Sequence, residues 1–145
     1  MHTLDFYFDC SSPWTYLGFE SLQSMLERHP LLQVTYRPIL VKQQYYVKDL
    51  QDWAQHVGIV IGQPPVFPVN SVKAMRGAFY AMEENRLIEY ARHVFSAYWT
   101  ELRDISLDEE LVKIVAEVGL DETTFFTKIN DQTYKDKLKA NTEEL

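Results

Sequence analysis

The residues of this chain best suited to chemistry crowd into one stretch, DCSSPWTYL, from Asp9 to Leu17. A carboxylate, the sole thiol and two hydroxyls precede Pro13, and Ser12 followed by proline has the form of a helix start. Backbone N–H groups in the first turn of a helix lack intrahelical partners, and the dipole favours negative charge there. Ser12 therefore has two readings. It is an N-cap, a role worth about 1 kcal/mol, or it is a hydroxyl that helps the helix terminus hold a thiolate or another anion. Serine hydrolysis fits less well, because no G-x-S-x-G elbow surrounds Ser12 and no histidine is assignable as its base.

Cys10 stands two residues before the cap, outside the first turn where a thiol pKa is most strongly lowered, and no second cysteine is present to resolve it. It reads as a buried or half-buried structural thiol. His2, His29, His56 and His93 are scattered with no ligand spacing and no thiolate cluster, so surface or capping roles suit them better than a metal. The aromatic stripes, Tyr98 and Trp99 included, read as core.

The elements that must position this corner follow from periodicity. Leu4, Phe6 and Phe8 alternate with Asp5, Tyr7 and Asp9, and Leu32, Val34 and Tyr36 with Gln33, Thr35 and Arg37, so each run predicts a short strand. Between them Trp14, Leu17, Leu22, Met25 and Leu26 recur at helical spacing until Pro30. A strand, a helix and a strand within about 35 residues imply a right-handed βαβ unit with parallel strands, closed by Pro38. Helical signals then take over. Leu50, Trp53, Ala54 and Val57 form one face of a short segment stopped by Gly58, and Pro64, Pro65 and Pro68 mark a rigid connector. Asn70 caps a helix carrying Met75, Phe79 and Met82, and a second stripe runs through Leu87, Tyr90, Phe95, Tyr98 and Leu102. Ser106 and Glu109 make a capping box for a helix ending at Gly119, and one or two more helices fill 121–145. The expected architecture is α/β in a single domain over 1–145, a βαβ half at 1–38 followed by an all-helical block at 39–145.

Composition narrows the function classes. The 145 residues are 46% hydrophobic and 24% charged, enough for one domain with a real core. Acidic residues number 21 against 14 basic, a net charge of −7 with no basic stripe, which weighs against nucleic acid. No apolar run approaches the ~18 residues of a spanning helix, and MHTLDFYF has no signal-like character, so no membrane partner and a cytoplasmic location are expected. A lone cysteine agrees with a reducing compartment.

The stretch FYFDCSSPWTYLGFESL strongly resembles the N-terminus of the DsbA-like thioredoxin-fold group, in particular 2-hydroxychromene-2-carboxylate isomerases and kappa-class glutathione transferases. YYVKDLQDWAQHVGI, FPVNSVKAMRGAFYA and VFSAYWTELRDISLDEELVKIVAEVGLD extend the match in the same order over nearly the whole chain. The resemblance implies a thioredoxin-like βαβ half with a helical insertion, and glutathione as cofactor or cosubstrate. It matches Ser12 to the family's active-site serine, in the place of the first cysteine of a redox C-x-x-C, and Thr15 to the place of the second. By the same resemblance the Ser12 hydroxyl donates a hydrogen bond to the glutathione sulfur, and Asn70 and Arg76 lie near the pocket. Asn70 is equally readable as a cap and Arg76 as an ion-pair partner. A dithiol oxidoreductase fits least, since neither Ser12 nor Thr15 exchanges electrons as a thiol does.

Two departures from the family pattern shape the expectations. Between Pro38 and Tyr45 the chain carries only ILVKQQ, where relatives have a longer, ligand-enclosing segment. After KLKANTEEL the resemblance implies a G-V-P-type turn, two strands and a helix that this sequence does not contain, so the fold is expected to be partial, without the C-terminal ββα half, and half of the glutathione clamp to be missing. The first strand would then keep an unpaired edge, and a homodimer is expected, either through that edge or through the C-terminal helix. The leading function is a truncated glutathione-dependent isomerase or transferase acting on a small, aromatic electrophile. The alternatives are a non-catalytic dimerising scaffold or binding protein of the same family, or a fragment of a longer enzyme.

Overall fold

A computed structural model describes residues 2–41 and 47–145. The alternating runs form strands β1 (His2–Phe8) and β2 (Leu32–Pro38), paired in parallel from His2 opposite Leu32 to Phe8 opposite Pro38. Among the described residues these two strands make up the sheet, and β1 is paired along one edge. Burial deepens along β1. His2 to Asp5 are exposed, Phe6 and Tyr7 half-buried and Phe8 fully buried. Phe6 and Phe8 both meet the edge of the Tyr36 ring, with centroids 6.1 and 6.4 Å away. The carboxyl end of the parallel pair is thus the end that enters the core, and open α/β sheets bind ligands at that end.

Helix α1 (Pro13–Arg28) connects the strands. It ends two residues before Pro30, as expected where the residue preceding a proline avoids helical geometry. Leu17 and Leu22 are buried as their spacing predicts, whereas Trp14, Met25 and Leu26 are only half-buried. Tyr16 and Phe19, absent from the predicted stripe, are buried because Phe95 of the helical block meets them. Its ring stacks on Tyr16 at 4.9 Å and lies 5.3 Å from Phe19.

The helical block comprises α2 (Val47–Val57), α3 (Val72–Glu83), α4 (Leu87–Trp99), α5 (Asp108–Glu117), α6 (Glu122–Ile129) and α7 (Gln132–Glu143). Helix α3 is its axis. Ala74, Met75, Gly77, Ala78, Phe79, Tyr80 and Ala81 are all buried, leaving it apolar nearly all round, and it touches β2, α4, α6 and α7. The core runs without interruption from Phe8 in β1 to Leu138 in α7. Helix α7 also fastens the chain beyond β2: Thr142 Oγ1 accepts from the Leu40 N–H at 3.1 Å, and Asn141 Nδ2 donates to the Pro38 carbonyl at 3.1 Å.

Three local expectations are corrected. Trp53 is 55% exposed, since the short α2 turns Leu50 and Ala54 inward and leaves Trp53 on its flank, edge-on to His56. Leu102 lies past the end of α4 with a φ of +59°, so it does not continue that helix's stripe. Ser106 is not a capping-box residue. Its N–H and hydroxyl both donate to Asp104 Oδ1, at 3.0 and 2.5 Å, and the N-cap of α5 falls to Leu107. The short 39–44 segment lies partly outside the described residues. No helix among those described is long and apolar enough to cross a membrane.

Candidate functional site

The corner between β1 and α1 is built by a tight turn. Phe8 ends the strand, the Ser12 N–H donates to the Asp9 carbonyl at 2.9 Å, and Ser12, with extended φ and ψ of −97° and 119°, becomes the N-cap of α1. Its Oγ accepts from the Thr15 N–H at 3.3 Å, and its own carbonyl accepts from Tyr16 at 3.1 Å. Pro13 at N1 needs no N–H partner. The cap reading of Ser12 is therefore realised, and it uses only a lone pair of the hydroxyl, so the O–H proton stays available to an anion placed before the helix. No acidic residue occupies the first turn of this sixteen-residue helix, so its positive end is not neutralised from within.

Cys10 is 1% exposed. Its N–H points at the Met75 sulfur at 3.3 Å, and its carbonyl accepts from Trp99 Nε1 at 3.1 Å. Burial, and secondarily the neighbouring Asp9 charge, pushes the thiol well above its usual range, the opposite of what a nucleophilic cysteine needs.

Asp9, in the opening stretch but given no role by sequence reasoning, is central here. It is 1% exposed, with Oδ1 accepting from the Ser11 N–H at 2.9 Å and Oδ2 from the Val41 N–H at 3.0 Å. The Ser11 and Ser71 hydroxyls lie near enough to the same carboxylate to favour its charged form. Burial raises its pKa, and the Ser11 and Val41 N–H groups, helped by the two nearby hydroxyls, offset part of the rise. The only sequence signal was an Asp two residues before a hydroxyl, the pattern of an Asx turn.

The other predicted site residues divide. Asn70 is exposed and lines a cleft of about 370 Å³ with Asp9, Ser11, Val41 and Ser71, within the size range of small-ligand sites. Its Oδ1 accepts from the Val72 N–H at 3.1 Å, while the N-cap position of α3 belongs to Ser71, which makes no side-chain cap bond. Asn70 thus performs the capping from one residue earlier. The preceding Phe67–Pro68 peptide is cis. Arg76 points elsewhere. Its Nη1 lies 3.5 Å from the Ile129 carbonyl, and it lines a second cleft of about 420 Å³ against α7 with Lys135, Asp136 and Lys139. Leu40 and Val72 line both clefts and form the ridge between them. Thr15 is half-buried beside Ser12. Among the described residues no group of three His, Cys, Asp or Glu side chains is arranged to hold a metal.

The fold has counterparts among known proteins. The model of the DSBA-like thioredoxin domain matches residues 3–145. A 2-hydroxychromene-2-carboxylate isomerase of Pseudomonas putida is 33% identical over 144 aligned residues, which cover 84% of this chain and 68% of that protein. Glutathione S-transferase kappa 1 of Caenorhabditis elegans is 23% identical, with 96% of this chain and 73% of the relative covered. A solved 2-hydroxychromene-2-carboxylate isomerase superposes with a TM-score of 0.84 at 25% identity, over 98% of this chain and 78% of its own. With its parallel βαβ start, its helical block and a helix-capping serine at the carboxyl end of β1, the chain belongs to the DsbA-like thioredoxin family, among homologues named as hydroxychromene-carboxylate isomerase and kappa-class glutathione transferase.

Proposed function

We propose that this protein binds a low-molecular-weight thiol of the glutathione type at the N-terminus of α1 and uses it on a small, aromatic electrophile, by isomerisation or conjugation. The observation that carries this reading is the Ser12 hydroxyl, engaged as an acceptor by Thr15 N–H and so oriented to donate to an anion at a helix end whose first turn carries no acidic residue. The thiol proton leaves to solvent, and the sulfur remains as thiolate under the Ser12 O–H and the helix dipole. No general base is required. A thiolate held there attacks an electrophilic carbon to form a C–S bond. In conjugation the bond is kept and the adduct takes a proton from solvent; in isomerisation the bond breaks again after rotation, and the thiolate is returned.

The family resemblance of the relatives supports glutathione as the thiol, one of them being named a glutathione transferase. Asn70 suits a ligand role because its exposed side chain lines the cleft and, among the described residues, only its Oδ1 is engaged, by the Val72 N–H. Arg76 serves only a ligand long enough to cross the Leu40–Val72 ridge.

The test is a glutathione titration followed through backbone amide resonances. Ser12 to Thr15 should shift, and Ser12→Gly, which keeps most of the capping free energy while deleting the hydroxyl, should weaken binding about ten- to a hundred-fold. Absence of any response at millimolar glutathione would sink the thiol reading and favour a non-catalytic binding protein.

A further inference from the structure

Aromatic and thiol side chains aside, the buried polar or charged residues among those described are Asp9, Ser11 and Ser71, exposed by 1, 3 and 4%. The Ser11 N–H donates to the Asp9 carboxylate at 2.9 Å, and Ser71 lines the same cleft wall beside them. Three segments remote in sequence converge there: the turn that leads into α1, the Val41 N–H beyond β2, and the cap of α3. Burying a carboxylate is costly unless it is hydrogen-bonded throughout, and a fully satisfied polar cluster fixes geometry more sharply than apolar contacts do. Asp9 also acts through its backbone, since its carbonyl accepts from the Ser12 N–H at 2.9 Å while Oδ1 accepts from the Ser11 N–H. Both hydrogen bonds that shape the turn before Ser12 therefore end on one residue.

We infer that Asp9 is the positioning residue of this corner: the Asp9–Ser11–Ser71 cluster holds the turn that presents the Ser12 hydroxyl and locks it to the two segments walling the adjacent cleft. Asp9 is assigned a positioning role rather than a ligand contact, because its carboxylate is 1% exposed and both oxygens already accept from backbone N–H groups. The inference rests on the thiol-binding reading for its consequence and on the ligand-free geometry for its cause. It assigns the unusual buried charge a task that neither the capping of α1 nor the core requires.

Asp9→Asn tests it, because an amide cannot accept from both Ser11 and Val41 with its two terminal atoms. In the ligand-free protein the Ser11 and Val41 amides should exchange with solvent at least tenfold faster, and the Ser12 and Thr15 resonances should move. With glutathione present, the ultraviolet thiolate absorbance should titrate at higher pH in the variant, displaced by about a tenfold change in acidity, while affinity for S-methylglutathione, which has no thiolate, changes less than twofold. Removing a nearby negative charge would by itself move that titration to lower pH, so the direction separates positioning from simple repulsion. An unchanged or lowered titration together with a native amide pattern overturns the inference. Ser71→Ala should shift the same amides in the same direction and Ser71→Thr should restore them, which decides the matter if Asp9→Asn does not fold. If the unaltered protein ignores glutathione, the thiol reading falls and the amide exchange alone judges Asp9.

Discussion

The indole Nε1 of Trp99 donates to the backbone carbonyl of Cys10 at 3.1 Å, joining the last residue of α4 to the turn ahead of α1. Both residues are buried, at 0 and 1% exposure, so the carbonyl depends on the protein for its partner. Through this bond the helical block holds the corner in which Ser12 sits. Trp99→Phe keeps an aromatic ring but deletes the donor. It should cost about 1–3 kcal/mol in urea unfolding, the penalty for a buried acceptor left unsatisfied, and it should move the Ser12 amide resonance. Unchanged stability would show that the carbonyl finds another partner.

Cys10 should be inert while the protein is folded. Its thiol is raised by burial first and by the Asp9 charge second, so little thiolate exists for alkylation. Iodoacetamide at mildly alkaline pH should leave the native protein unmodified and react readily in urea. Cys10→Ala should cost on the order of 1 kcal/mol for the vacated space and leave glutathione binding within twofold, since the Met75 and Trp99 contacts involve only the Cys10 backbone.

Gly77 in α3 should resist replacement by alanine although alanine is the better helix former by about 1 kcal/mol. A Cβ there would run into the Phe125 ring and the Tyr90 hydroxyl. Tyr90 cannot simply withdraw, because its hydroxyl donates to the Ala74 carbonyl at 2.8 Å in a fully buried site. The net expectation for Gly77→Ala is a loss of about 1–3 kcal/mol from overpacking, read as a lowered thermal midpoint. A gain in stability would mean that α3 and α6 separate more easily than their packing suggests.

Glu110 carries a pH signature. Lys113 Nζ donates to its Oε1 at 2.8 Å and Arg103 Nε to its Oε2 at 2.5 Å, which together hold its carboxyl below the ordinary 4.5. Because the folded value is depressed, the carboxylate contributes stability above 4.5 and loses it as pH falls through the folded value. Glu110→Gln should therefore cost up to about 1 kcal/mol near neutral pH, by a margin that is flat down to 4.5 and shrinks below it. Asp9 has the opposite sign, its raised value making its burial a growing cost as pH rises through 3.8 and above. That contribution is common to both proteins and cancels in the difference.

Much of the scaffold was legible in the residues alone because strand alternation, helical stripes and proline or serine boundaries are interactions between near neighbours. Ser12 as the cap of α1, the parallel pairing of β1 with β2 and the stop at Gly58, whose φ is +85°, all follow from such local chemistry. Local reasoning failed where a neighbour in sequence competed with one in space. Ser106 and Glu109 match a capping box, yet Asp104 takes the serine's donors. Trp53 has the hydrophobicity of a core residue, yet α2 offers nothing to cover it.

The site shows the same division. A polar residue followed by proline ahead of an apolar run is enough to put a hydroxyl at a helix terminus, since that rests on backbone geometry within four residues. Which groups surround that hydroxyl depends on chain closure. Asp9 gains its partners from residues 41 and 71, Cys10 is covered by residues 75 and 99, and Arg76 turns toward residue 129, away from the cleft that Asn70 lines. These contacts span from 32 to 89 residues of chain where a separation is given. No periodicity in one stretch encodes them, because the free energy that selects them comes from burying surfaces and satisfying polar atoms that meet only once the helices have packed.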